Sequence, residues 1–253
     1  MFDLTLIKAD VLKLRRRHGM LALAFLVTAG AAVLIYTVTA LQHGSNPIKH
    51  GPAGGLKNYQ NSIGFLTTMV LVVAALVGAT AGAADIESGV FRDLAATGRS
   101  RVALFTSRVF AGWAVVFTVV AATATITAAA ASILAGPLPV PGATAVLDGT
   151  VSLLLAGALG TAVAVGLAAV VGSRGPVIAV LLGFELAVLP ILSALKALGS
   201  ARQLIPTQAL ERIAGTAPSG GVHMALLTAV LVVGAWVAAP FLAGAWRTRT
   251  QEI

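Results

Sequence analysis

The chain has 253 residues, 58% of them hydrophobic and 10% charged, with a formal net charge of +8 and no cysteine. Soluble domains carry about 25% charged residues. This composition, with a mean hydropathy of +0.94, therefore excludes an ordinary water-soluble domain and points to lipid as solvent. The missing cysteines exclude disulfides, thiol catalysis and Cys-ligated metals.

About 20 apolar residues span a bilayer core of about 30 Å at a rise of 1.5 Å per residue. Six such runs occur, near 19–41, 62–84, 109–135, 150–172, 177–198 and 223–245. Only short connections remain, so the fold expected is an all-α integral membrane protein, one transmembrane domain over 1–253 with six transmembrane helices. The first run starts after 18 residues and is too long for the apolar region of a cleaved signal peptide.

Lys and Arg divide unevenly between the two sides. Twelve fall on the side of the N-terminal segment, the 85–108 connection, Arg174 and the C-terminal tail; five (Lys49, Lys57, Lys196, Arg202 and Arg212) fall on the other. The positive-inside rule places both termini and the 85–108 connection in the cytoplasm. The net charge thus follows membrane sidedness, and no nucleic-acid partner is expected.

In chain order, residues 2–17 come first. Leu4, Ile7, Val11 and Leu14 recur at helical spacing, with Lys8, Asp10 and Lys13 elsewhere on the wheel. This predicts an interfacial helix on the cytoplasmic leaflet, its basic end Arg15–Arg17 against anionic headgroups; the alternative is a basic tail that only sets orientation. Loop 42–61, with six Gly and Pro residues, reads as an irregular external connection, and 136–149 as a stiff external turn. Gly78 and Gly82 form a GxxxG pair in the second span, and the third is rich in Ala and Thr over 121–131. Both favour close helix packing.

Asp85–Arg108 gathers seven charges between two apolar runs. Ile86, Val90, Phe91 and Leu94 are expected on one face of a short helix over 85–98, with Glu87, Arg92 and Asp93 around the remainder. Thr97-Gly98 is a helix stop and Ser100 an N-cap for the next helix. Sidedness accounts for the arginines. It does not account for an apolar face flanked by three acids, nor for the helix-disfavouring Gly89 two residues after Glu87. Such a helix can lie on the membrane, or its apolar knobs can enter a groove on a partner.

This order of features resembles the membrane permease subunits of type 2 ABC exporters (the ABC-2 type permease family). The family's pattern of acid, small residue, Arg, Leu-rich turn, Ser-Arg step and following basic residue is similar to Glu87, Gly89, Arg92, Leu94, Ser100-Arg101 and Arg108. Leu14-Arg15-Arg16-Arg17 resembles the basic end of its connecting helix, and Ile205-Pro206-Thr207-Gln208-Ala209-Leu210 its Pro-marked external region. Val90-Phe91 stands where Thr-Leu is more usual. The resemblance implies that 85–98 is a coupling helix, with Ile86, Glu87, Gly89, Val90, Phe91, Arg92 and Leu94 meeting the partner. It further implies two copies of a separate ABC ATP-binding subunit carrying ATP and Mg, a second permease subunit, the same or homologous, and a bacterial-type plasma membrane. The cargo implied is a drug, peptide, lipid or lipid-linked glycan. No GxxxxGK[ST] occurs in this chain, and a phosphate cradle needs that turn and its Lys. The chain is not expected to be an ATPase by itself, nor to carry a cofactor.

Glu185 falls mid-way along the fifth run. A charge at the bilayer centre costs about 2.5–3.5 kcal/mol, and the thirteen Leu, Ile, Val and Phe residues of 177–198 return roughly 4–8 kcal/mol, so the span inserts. Two readings stand for Glu185: part of a substrate or cation path, or a protonated carboxyl bonded to a neighbouring helix. Residues 196–222 are long for a loop and partly apolar through Leu204, Ile205, Leu210 and Ile213. The resemblance implies that 199–222 re-enters the outer leaflet; composition serves equally for an ordered cap. His43 and His50, without nearby acids, make a poor metal site, and no metal is expected. Three competing functions remain, one of them a non-transporting membrane anchor in a larger assembly. An intramembrane enzyme would need convergent polar groups at bilayer depth, and an ATP-independent channel or secondary carrier several intramembrane charges.

Overall fold

The structure is a computed structural model that describes residues 4–96, 98–215 and 224–250, with the side chains of Arg92 and Ala95 outside the description. The described residues form helices and turns, with no strand among them. A first helix, α1 (Leu4–Arg15), precedes α2 (His18–Ser45), α3 (Leu56–Glu87), the short α4 (Val90–Ala96), α5 (Arg101–Ile133), α6 (Ala143–Val171) and α7 (Arg174–Ala194). A 3-10 segment, Lys196–Leu204, leads into α8 (Pro206–Ala214), and α9 (Leu226–Thr250) closes the chain. Six of these, α2, α3, α5, α6, α7 and α9, are long and apolar enough to cross a membrane. All six expected spans are therefore present.

Five of the six helices are longer than the apolar runs that announced them; α7, at 21 residues, is not. α3 has 32 residues and α5 has 33, about 50 Å at 1.5 Å per residue, against a core of about 30 Å. The third span starts at Arg101 rather than near 109 because Ser100 caps it, its Oγ accepting from Ala103 N at 3.4 Å. Hydropathy marks where lipid ends; helix ends are set by caps and glycines.

α6 is central, packed against α3, α5 and α9. The GxxxG pair explains the α3–α6 contact. A Cβ on Gly78 would lie 2.7 Å from Ala164 Cβ, and one on Gly82 2.7 Å from Ala168 Cβ. Two bare turns thus let the backbones meet where lipid supplies no hydrophobic drive. The outer helices α2, α7 and α9 leave large apolar side chains outward, among them Leu34, Val180, Ile191, Leu231 and Leu242. That face suits lipid or another apolar surface.

At the end away from α4, two loops knit the bundle. Gly54 N donates to Leu134 O and Gly55 N to Ala131 O, both at 2.8 Å. Asn58 Nδ2 donates to the carbonyls of Pro52, Ala53 and Gly54. His43 Nδ1 lies 2.7 Å from the His50 carbonyl, so that ring serves as a loop staple.

Candidate functional site

One end of the bundle gathers α1, the α3–α5 connection, the α6–α7 turn and the end of α9, where Arg101 Nη1 donates to the Arg249 carbonyl at 3.2 Å. The helix expected over 85–98 is divided here. Asp85, Ile86 and Glu87 complete α3, Gly89 takes φ +75°, and only Val90–Ala96 forms α4. A left-handed φ suits Gly because it has no Cβ, so the position that read as helix-disfavouring is the break itself. Thr97 lies outside the described residues; Gly98, with φ +78°, follows α4.

A polar knot sits behind α4. Arg108 is 2% exposed. Its Nη2 meets Asp85 Oδ2 at 3.3 Å, its Nη1 donates to Gly82 O at 3.1 Å, and its guanidinium stands 5.0 Å from the centroid of the Phe91 ring. Lys13 Nζ reaches the same Asp85 oxygen at 3.1 Å and Asp10 Oδ1 at 3.3 Å. Ser107 Oγ donates to Asp10 Oδ2 at 2.7 Å. Three helices, α1, α3 and α5, thereby share one charge network, and Phe91 of α4 covers it. A buried guanidinium without partners would be strongly destabilising, so the knot fixes these helices relative to one another.

Glu87 closes the flank. Its Oε2 pairs with Arg174 Nε at 3.4 Å, while Oε1 accepts from the Arg174 backbone N–H and from Ser173 Oγ at 3.3 Å. A carboxylate at the start of α7 meets the free N–H groups and the positive end of the helix dipole.

The residues expected on one apolar face therefore separate. Phe91 is buried over Arg108, Val90 is 40% exposed, and Leu94 and Ile86 are half-buried, Ile86 near the Gly172 turn. Asp93 is exposed, and the side chain of Arg92 lies outside the described residues. Asp10, expected away from the apolar face of α1, turns inward to Ser107. Arg108, which read as a mark of sidedness, is the buried centre of the knot. The one sequence signal for it was an Arg eight residues inside a helix of otherwise apolar character.

The opposite end holds a cavity of about 830 Å³ between α3, α6, α7 and α8, within the range of small-molecule sites. Glu185 lines it, 7% exposed, with no hydrogen-bond partner for Oε2 among the described residues. Local sequence explains why it faces inward. Val177, Leu181, Glu185 and Leu189 form the buried stripe of α7. A spacing of four drifts about 40° per step on a 3.6-residue helix. The wide π turn Phe184–Val188 offsets that drift. It lies just before Pro190, which cannot donate to the carbonyl four residues back and crowds it. Glu185 thus occupies a position that packing alone would give to Leu.

α8 covers the mouth. Ile205, Ala209 and Leu210 are buried, while Leu204 remains 64% exposed. Trp236 Nε1 donates to Leu204 O at 3.0 Å and Arg212 Nε to Met224 O at 2.9 Å. The segment expected over 199–222 is thus folded onto the bundle as far as Gly215; residues 216–223, with His223, lie outside the described residues. Among the described residues, no group of three or more His, Asp or Glu is arranged to hold a metal ion.

No curated protein matches the chain. The family model described as ABC-2 family transporter protein matches residues 6–193, a stretch that contains most of α1, the polar knot, α4 and Glu185. Six apolar helices and a match over most of their length agree: the chain belongs to the ABC-2 family of transporter proteins.

Proposed function

We propose that this multi-pass membrane protein is the permease subunit of an ATP-driven exporter, paired with a second permease subunit and powered by two separate ATP-binding subunits that hold ATP and Mg. The observation that carries the reading is α4. It is a seven-residue helix held between two glycine breaks, with Val90 and Asp93 outward and a charge network behind it. A contact made at Val90 would be passed through Phe91 and Arg108 to α3, α5 and α1 without loss in a soft loop. α4 is in this reading the coupling helix, and α1 lies along the inner leaflet with Arg15–Arg17 at its basic end. The clustering of α1, α4, Arg174, Arg247 and Arg249 at one end supports a cytoplasmic position for that end and for both termini. Closure of the nucleotide-bound subunits would then move the bundle and open the far end outward.

The test is co-purification with the ATP-binding subunit in mild detergent. The Val90→Glu, Asp93→Arg double variant changes two exposed positions, so it should insert and melt as the parent does while co-elution and stimulated ATP hydrolysis fall at least fivefold. Unchanged co-elution and turnover would remove α4 from the docking surface.

A further inference from the structure

We propose that the cavity beneath α8 binds a monovalent organic cation, an amphiphile with one ammonium- or phosphonium-type charge on an apolar body. This rests on the exporter reading and adds to it the class of cargo. Three observations combine. The first is Glu185 Oε2, buried, at the cavity wall and without a hydrogen-bond partner among the described residues. A buried carboxylate in that state lacks both the cation that would balance it and the acceptor that would take its proton. The second is the composition of the wall. Asp148 and Glu211 also line the cavity, and no Lys, Arg or His does so among the described residues. The third is size and polarity. About 830 Å³ far exceeds a metal ion, and the surfaces of Ile63, Leu71, Leu189 and Leu210 beside Glu185 ask for an apolar body.

An anion is disfavoured because it would meet carboxylates without a cation to answer it. A zwitterionic lipid headgroup shares the ammonium, but its phosphate has no basic partner on this wall. A free cation satisfies Glu185 at depth while its exposed counterpart, Asp148, draws positive charge to the mouth. The first carboxylate supplies specificity and the second steering.

The test uses the full chain in lipid nanodiscs, with no ATP-binding subunit present, so failure of ATPase docking leaves it intact. Tetraphenylphosphonium and tetraphenylborate share a shape and differ in charge, and saturable binding of each is measured over empty discs. The expected result is saturable tetraphenylphosphonium binding, weakened at least tenfold in Glu185→Gln, with none for tetraphenylborate. Thr207→Lys places a cation on the cavity wall without altering Glu185 and should abolish binding while the melting temperature holds. Discs enriched in phosphatidylethanolamine should leave the affinity unchanged. Equal binding of both probes, no saturable binding of the cation, an unaffected Glu185→Gln variant, or displacement of the probe by phosphatidylethanolamine would each overturn the proposal.

Discussion

Asp85 and Glu185 are carboxylates on helices that cross the membrane, and both turn toward protein, yet they meet opposite surroundings. Asp85 lies between Arg108 and Lys13, at 3.3 and 3.1 Å, in a network that reaches Asp10 and Ser107. Glu185 faces a cavity whose wall offers hydroxyls, amides and further acids but no base among the described residues. An acid answered by bases holds helices in register. An acid turned to a cavity without one is available to whatever enters.

That contrast can be broken most forcefully at the knot. Arg108→Leu leaves Asp85 with the half-exposed Lys13 alone and should cost up to about 3–5 kcal/mol, the range for removal of one member of a buried pair, read as a large fall in melting temperature in detergent. The double variant Asp85→Leu, Arg108→Leu should recover most of that loss, because an apolar pair replaces the ions together. A double variant as unstable as the single would show that the pair is not the unit. Next in size is the helix seam. Gly82→Val drives a side chain into Ala168 and the Val165 backbone and should cost about 1–3 kcal/mol by overpacking. Gly64→Ala on the same helix, where an added Cβ meets nothing within 4 Å, should leave melting unchanged or raise it.

Smaller again is the flank. Glu87 and Arg174 are 28% and 46% exposed, so Arg174→Ala should lower stability by no more than about 1 kcal/mol. The smallest effect sharpens the comparison best. Glu185→Gln keeps shape and removes a charge that no base answers, so melting should hold or rise, whereas Asp85→Asn at the knot should lower it. Equal losses at the two positions would erase the distinction between them.

The six spans could be read from sequence because long apolar runs have few soluble alternatives, and the GxxxG pair because small residues at that spacing have a direct packing meaning. Glu185 was visible too, as a carboxylate inside such a run. Its cavity was not, since its walls come from four helices far apart in the chain. The knot was hidden for another reason. Asp10, Lys13, Asp85 and Arg108 each have an adequate local account as charges flanking a span, and only their convergence reveals a network. A single helix over 85–98 does not form because Gly89 is more than a weak helix former: its left-handed φ of +75° breaks the chain after α3.

On the proposed reading, force enters this bundle from a separate protein seated on α4 at the cytoplasmic face. The chain contains no cysteine, so Val90→Cys introduces a unique thiol for a membrane-impermeant maleimide in sealed vesicles. The account predicts labelling only when the cytoplasmic face is outward, and protection when the ATP-binding subunit is added. Labelling from the opposite face, or reactivity unchanged by that subunit, would contradict it.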